Sequence, residues 1–217
     1  MLFYDRPDAG RLLAAELMHF KGQKDVLVIG LARGGVVIAF EVAKILSLPL
    51  NVVVPRKIGA PGNPELALGS IMENGEGIFN QSIIRILGVS QNYIAHEIEK
   101  EKALAQQRLT LFRQYAPLPD IKNKTVILVD DGIATGSTML TAIRAMRQAV
   151  VKYIVVAAPV ASTEAAQLIE EVADEVVCLS VREDFVGVGM YYRNFSQTDD
   201  AEVVQLLKDV HQHDNQQ

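Results

Sequence analysis

Five short apolar runs recur along the chain without polar interruption: Val26–Ile29, Val52–Val54, Val126–Val129, Ile154–Ala158 and Val176–Leu179. Runs of this length with no alternation predict strands covered on both faces. Between them, apolar residues return at helical spacing. Val36, Ala39, Phe40 and Ala43 follow the first run; Met139, Ile143, Met146 and Val150 follow the third; a helix from about Ser162 to Val172 follows the fourth. Strand, helix, strand in series predicts an α/β fold: a parallel sheet of about five strands, flanked by helices, with right-handed crossovers. Ligands of such sheets bind where the strands end and loops enter helices.

Two regions break the alternation. From about 55 to 80, glycine and proline are dense, with Ile71-Met72 and Gly77–Phe79 as candidate short strands. This predicts a mobile arm over a site. From about 81 to 117 runs a helical insertion. Ser90 is its N-cap, Val89 staples to Ile94, and Ile94, Ile98, Ala105, Leu109 and Phe112 form an apolar stripe. The charged run Glu97–Lys102 is expected to be a solvated face. A stripe this long exceeds what one domain is expected to bury, which points to a homodimer or larger homo-oligomer.

Composition narrows the classes. Of 217 residues, 49% are hydrophobic, enough for one packed domain, and the net charge of −5 argues against non-specific nucleic-acid binding. The one cysteine, Cys178, lies in an apolar run and is expected to be a buried thiol. One cysteine cannot form a disulfide within the chain, which suits a reducing cytoplasm. No apolar run approaches the ~20 residues that cross a bilayer, and the N-terminus has no signal-peptide pattern. The expectation is a cytoplasmic protein with no membrane partner.

The chemistry concentrates in Asp130-Asp131-Gly132-Ile133-Ala134-Thr135-Gly136-Ser137-Thr138, between the third strand and its helix. A helix N-terminus offers unpaired N–H groups and the positive end of a dipole. Gly136 admits an anion to the backbone, and Thr135, Ser137 and Thr138 add hydroxyl donors. Carboxylates beside an anion site make sense when they face vicinal hydroxyls. The segment reads as a site for a phosphorylated sugar, with the phosphate on the helix and the diol on Asp130 and Asp131. No Gly-Lys-Thr/Ser follows the turn, so it is not a Walker A loop.

This segment resembles the signature of type I phosphoribosyltransferases, which bind 5-phosphoribosyl 1-pyrophosphate (PRPP). The resemblance implies the type I phosphoribosyltransferase fold with a hood, here about 180–197. It assigns Asp130 and Asp131 to the ribose hydroxyls, and Ala134, Thr135, Gly136, Ser137 and Thr138 to the 5′-phosphate. The glycine-rich turn after the first strand would meet pyrophosphate through Ala32, Arg33 and Gly34. Arg56-Lys57, opening the arm, resembles the adenine-type arm and would neutralise the leaving pyrophosphate as catalytic cations. With Asp5-Arg6-x-x-Ala9-Gly10-Arg11 and Gly59–Glu65, the chain is similar to bacterial predicted phosphoribosyltransferases of unassigned substrate.

The resemblance further implies transfer of a phosphoribosyl group to an unidentified nitrogenous acceptor, with release of pyrophosphate. Mg²⁺ would be held mainly by PRPP and water, with Asp130 and Asp131 as its protein contacts. Where hypoxanthine–guanine enzymes carry an aspartate base, this chain has Ala134. As in adenine-type enzymes, Ser70–Gly75 then nominates Glu73 as the acid–base group, with Glu65 as its rival. Aromatics and glycines at Asp184–Phe195 suit a hood over a planar acceptor. His211-Gln212-His213-Asp214 opens a polar tail (211–217), expected to be disordered although three of these residues are potential metal ligands. A non-catalytic PRPP-sensing regulator of the same fold is the alternative.

Overall fold

The computed structural model describes residues 1–117 and 119–214; the side chains of Glu65 and of residues 211–214 lie outside the described residues, and with them the rival base and the candidate ligands of the tail. The strands are β1 (Val26–Leu31), β2 (Leu50–Val53), β3 (Arg56–Ala60), β4 (Asn63–Ile71), β5 (Gly77–Phe79), β6 (Thr125–Val129), β7 (Tyr153–Ser162) and β8 (Glu175–Arg182). The helices are α1 (Arg6–Glu16), α2 (Gly34–Leu46), α3 (Gln81–Ile86), α4 (Gln91–Phe112), α5 (Ser137–Gln148), α6 (Thr163–Glu170) and α7 (Asp200–Asp214). Five strands form one sheet in the order β2-β1-β6-β7-β8, all parallel. The expected α/β class and five-strand parallel sheet are therefore present.

The unbroken apolar runs have a direct cause. Successive strand residues point to opposite faces, and both faces are covered. Val28, Ile127, Val129 and Val155 pack on one side with residues of α1, α2 and α7. Ile29, Val126, Leu128 and Ile154 pack on the other with residues of α5 and α6. Cys178, on edge strand β8, is half-buried rather than enclosed, and its surroundings push its thiol pKa up.

The glycine- and proline-dense segment is a second sheet. β3, β4 and β5 pair antiparallel, and Ile58, Leu68 and Ile71 make a small core with Ile84 of α3 and Ile94 of α4. Ser90 caps α4 by accepting from the Tyr93 N–H, as the sequence predicts, and Val89 packs against the small core that contains Ile94. The stripe of α4 divides. Ile94 and Ile98 join the small core, while Ala105, Leu109 and Phe112 join the main one. The chain covers its own stripe, so this stripe is not a surface that calls for a second copy.

Two helices are absent from the sequence expectations. α1 follows Asp5, whose side chain accepts from the Asp8 N–H, with proline in the first turn. That pairing is a readable start signal. α7 begins where Asp199 accepts from the Glu202 N–H and buries Val203 and Leu207; its backbone continues through Asp214, into the stretch expected to be a disordered tail.

Candidate functional site

Because the sheet is parallel, β1, β2, β6 and β7 all deliver their carboxyl ends to one edge. Asp130 and Asp131 follow β6 there. The Asp131 N–H donates to Asp130 Oδ1 at 2.9 Å, turning the first carboxylate back over the strand end. Both carboxyls are largely withdrawn from water. Burial, reinforced by the neighbouring Asp131 carboxylate, raises the Asp130 pKa well above the usual range; Asp131 is raised by burial but restrained by Arg6.

Arg6 was not among the residues expected at the site. It lies in the first turn of α1, and its Nε donates to Asp131 Oδ2 at 2.8 Å. Its Nη1 donates to the Ser196 carbonyl at 2.7 Å, and its guanidinium lies 4.0 Å from the centre of the Phe195 ring. Tyr192 donates its hydroxyl to the Asp131 carbonyl at 2.6 Å. The C-terminal part of the hood segment is thereby fastened to the acidic pair. Only the short Asp5-Arg6-Pro7 start signal could have placed Arg6 on a helix, and nothing local could have aimed it at a residue 125 positions away.

The turn Ala134–Thr138 leads into α5. Gly136 adopts φ +73, a left-handed value that favours glycine, and serves as the N-cap without a side-chain hydrogen bond. The Ser137 N–H at the start of α5 donates only at long range, to Thr135 Oγ1 at 3.5 Å, and Ala134 and Thr135 are exposed. Ser162 Oγ holds the turn by donating to the Ala134 carbonyl at 2.7 Å. On the other side, buried Ser70 of β4 donates to the Ser137 carbonyl at 2.7 Å and contacts Thr141 Oγ1. The second sheet is therefore bolted to the first turn of α5. A recess of about 520 Å³ beside the turn is lined by Ala134, Thr135, Ser162, Glu164, Phe185 and Val186.

The turn after β1 closes the other side of the acidic pair. Its Ala32–Arg33 peptide is cis. A Cβ on Gly34 would collide with Asp131 Oδ2, and one on Gly35 with the Val129 carbonyl, so glycine is what lets this turn lie against the carboxylates. A second recess, about 460 Å³, opens here. Arg6, Ala32, Arg33, Gly34, Arg56 and Arg108 line it together with residues 195–198.

Among the residues expected to be catalytic, the structure separates three that the sequence grouped. Arg56 reaches the second recess, but its guanidinium pairs with Glu101 of α4, Nη2 to Oε2 at 2.6 Å and Nε to Oε2 at 2.7 Å. Glu101 is thus withdrawn from the solvated run in which the sequence placed it. Lys57 lies next on β3, exposed and opposite Ser70 in the ladder. Glu73 faces α4. Its carbonyl accepts from Gln106 Nε2 at 3.3 Å, and its carboxylate opposes the burial that lowers the Arg113 pKa. Neither recess is lined by Glu73. Arg108, by contrast, lines the second recess unforeseen, and Asp200 pairs with it at 3.1 Å.

Among the described residues no cluster of three or more His, Cys, Asp or Glu could hold a metal ion by itself, and no helix is long and apolar enough to cross a membrane. The acidic pair is nevertheless a donor set that suits Mg²⁺ shared with ligand oxygens. Burial disfavours the ionised Asp130, and a nearby divalent cation would favour it.

Residues 6–193 match the family model described as the phosphoribosyl transferase domain. The Mycobacterium tuberculosis H37Rv protein named "Putative phosphoribosyl transferase Rv0571c" is 42% identical over 212 residues, which are 97% of this chain and 47% of that protein. The chain thus spans about half the length of the curated relatives it matches. The crystal structure of TT1426 from Thermus thermophilus is similar with a TM-score of 0.79 and 42% identity, covering 96% of this chain and 99% of that one. The AQ2163 protein from Aquifex aeolicus, at 15% identity and a TM-score of 0.53 over 85% of this chain and 78% of that one, shares the fold. The matched domain, spanning residues 6–193, shows that this chain belongs to the phosphoribosyl transferase family.

Proposed function

We propose that the chain binds PRPP and transfers its 5-phosphoribosyl group to a nitrogenous acceptor, releasing pyrophosphate. The observation that carries this reading is the adjacency of three surfaces at one sheet edge. The Ala134–Thr138 turn with the α5 N-terminus suits a phosphate. Asp130 and Asp131 suit a diol. The recess beside the Ala32-Arg33-Gly34 turn suits a diphosphate.

Asp131, kept toward its ionised form by Arg6, accepts hydrogen bonds from ribose hydroxyls, and Asp130 joins it when a cation approaches. Mg²⁺, when bound with the substrate, supplies charge neutralisation on the pyrophosphate oxygens. Arg33 stabilises negative charge that grows on the leaving group, and the fixed turns hold the ribose in register. To act as the acid–base group, Glu73 would have to move its carboxylate, which lines neither recess and has a buried Oε2 with no hydrogen-bond partner, toward the ribose. The arm and hood would cover the reacting centre.

The test is pyrophosphate release from Mg-PRPP, screened across purines, pyrimidines and simple amines. Release dependent on one acceptor supports transfer. PRPP binding by calorimetry with no release across the screen would favour the alternative, a PRPP sensor; the Glu101–Arg56 pair, which neutralises one expected catalytic cation, speaks for it.

A further inference from the structure

The second recess contains more cationic side chains than the glycine-rich turn requires, and they come from four separate elements. Arg6 belongs to α1, Arg33 to the turn after β1, Arg56 to β3 and Arg108 to α4. Their counter-ions differ in kind. Arg6 is committed to Asp131. Arg56 is held twice by one Glu101 oxygen, and the Glu101 side chain is only 12% exposed. Arg33 and Arg108 instead share a single carboxylate, Asp200. Arg108 Nε lies 3.1 Å from its Oδ1 and 3.2 Å from its Oδ2, while Arg33 Nη1 lies 3.8 Å from Oδ1. The Asp200 side chain, at the first residue of α7, is 34% exposed, while its Oδ1, which faces both arginines, is buried and accepts no hydrogen bond.

We infer that Arg108 is a pyrophosphate-binding residue and that Asp200 is an internal counter-ion which a diphosphate replaces. The inference rests on the proposed PRPP reading and adds to it a residue of the helical insertion. Glu101 and Arg108 are seven residues apart, two turns of α4, and therefore point from one face of the helix toward the same recess. Two guanidiniums against one carboxylate leave positive charge unneutralised. A diphosphate brings more negative charge than the single carboxylate it displaces, and a guanidinium fork suits its oxygens better than a lone ammonium would. Arg56, already neutralised at close range, keeps Glu101 and holds α4 against β3. The insertion thereby acquires a chemical task at the site: it supplies one cation to the ligand and a carboxylate that occupies another.

The experiment is calorimetric titration of the full chain with inorganic pyrophosphate and, separately, with ribose 5-phosphate, both with Mg²⁺. Wild type is compared with Asp200→Asn, Arg108→Ala and Arg108→Lys. Removing the competing charge in Asp200→Asn is expected to tighten pyrophosphate binding about tenfold, and Arg108→Ala to weaken it about tenfold, the scale of one charge-assisted hydrogen bond. Arg108→Lys should recover part of that loss. Ribose 5-phosphate affinity should stay within about twofold in all three, because the phosphate turn and acidic pair are untouched. Pyrophosphate affinity unchanged in both Asp200→Asn and Arg108→Ala, with ribose 5-phosphate binding intact, would overturn the inference and leave the PRPP reading standing. Weaker pyrophosphate binding in Asp200→Asn would make Asp200 a scaffold for Arg108 and also overturn it. A wild-type chain that binds neither ligand would remove both.

Discussion

The phosphate turn between β6 and α5 and the arginine recess between β1, β3, α4 and α7 would hold the two ends of one ligand, and they are built in opposite ways. The turn is contiguous. Its anion donors are backbone N–H groups of a single helix start, and its shape comes from Gly136 in a left-handed conformation. It needs no internal counter-ion, because its positive character is spread over peptide dipoles. The recess is assembled from residues as far apart as Arg6 and Arg108, and each of its guanidiniums is met by a carboxylate or an aromatic ring. Full charges gathered from four elements repel one another, so the unliganded protein must neutralise them itself. A contiguous backbone site can wait empty; a dispersed charged site has to be held by substitutes.

The largest effect should come from the seam between the two regions. Asp130→Asn with Asp131→Asn is expected to weaken Mg-PRPP binding by about a hundredfold or more, since two hydrogen bonds to charged groups contribute roughly 1.5–3 kcal/mol each. Calorimetry gives the affinity and circular dichroism the fold. Unchanged affinity would detach the acidic pair from both regions.

The next effect separates held from displaceable arginines. Arg56→Ala should lower stability by about 2–3 kcal/mol, because it leaves Glu101 largely buried without its cation, and Glu101→Gln added to it should recover much of the loss. Urea melts of the two variants measure this. A loss of pyrophosphate affinity as large as that in Arg108→Ala would erase the distinction between the two pairs.

The smallest effect is in pH. Asp130 is raised well above its ordinary pKa by burial, so the folded chain holds a proton that the unfolded chain releases. From an ordinary carboxylate pKa near 4 up to the folded value, the native state binds more protons, and its stability falls as pH rises. Asp130→Asn should flatten that part of the stability–pH curve. PRPP, which favours the ionised pair, should bind more tightly as pH rises through the same window. Melting temperatures of wild type and variant, taken without ligand, check the first statement. Identical pH slopes would mean that Asp130 is ionised in the folded protein.

Legibility follows the same division. The strands, the cap of α4, and the positions of the acidic pair and of the glycine turn before α5 were all readable, because each is encoded within a few consecutive residues. The arm was read from its glycines and prolines as a covering segment. Its sheet and small core were missed, because its apolar residues find partners only on α3 and α4. Likewise, Glu97–Lys102 reads as a solvated run in sequence, yet Glu101 turns inward to Arg56.

By itself, the sequence determined the parallel α/β sheet and the carboxylate pair and glycine turn that follow β6. Unbroken apolar runs can be satisfied only by strands covered on both faces, and a glycine turn at a helix start exposes N–H groups whatever surrounds it. Tertiary structure decided which charges meet. It placed Arg6 on Asp131 across 125 positions, gave Glu101 to Arg56, set Asp200 between Arg33 and Arg108, and kept Glu73 beside α4. Side-chain charges act through space over a few ångströms, and the distance along the chain between two partners carries no information about whether the fold will bring them together.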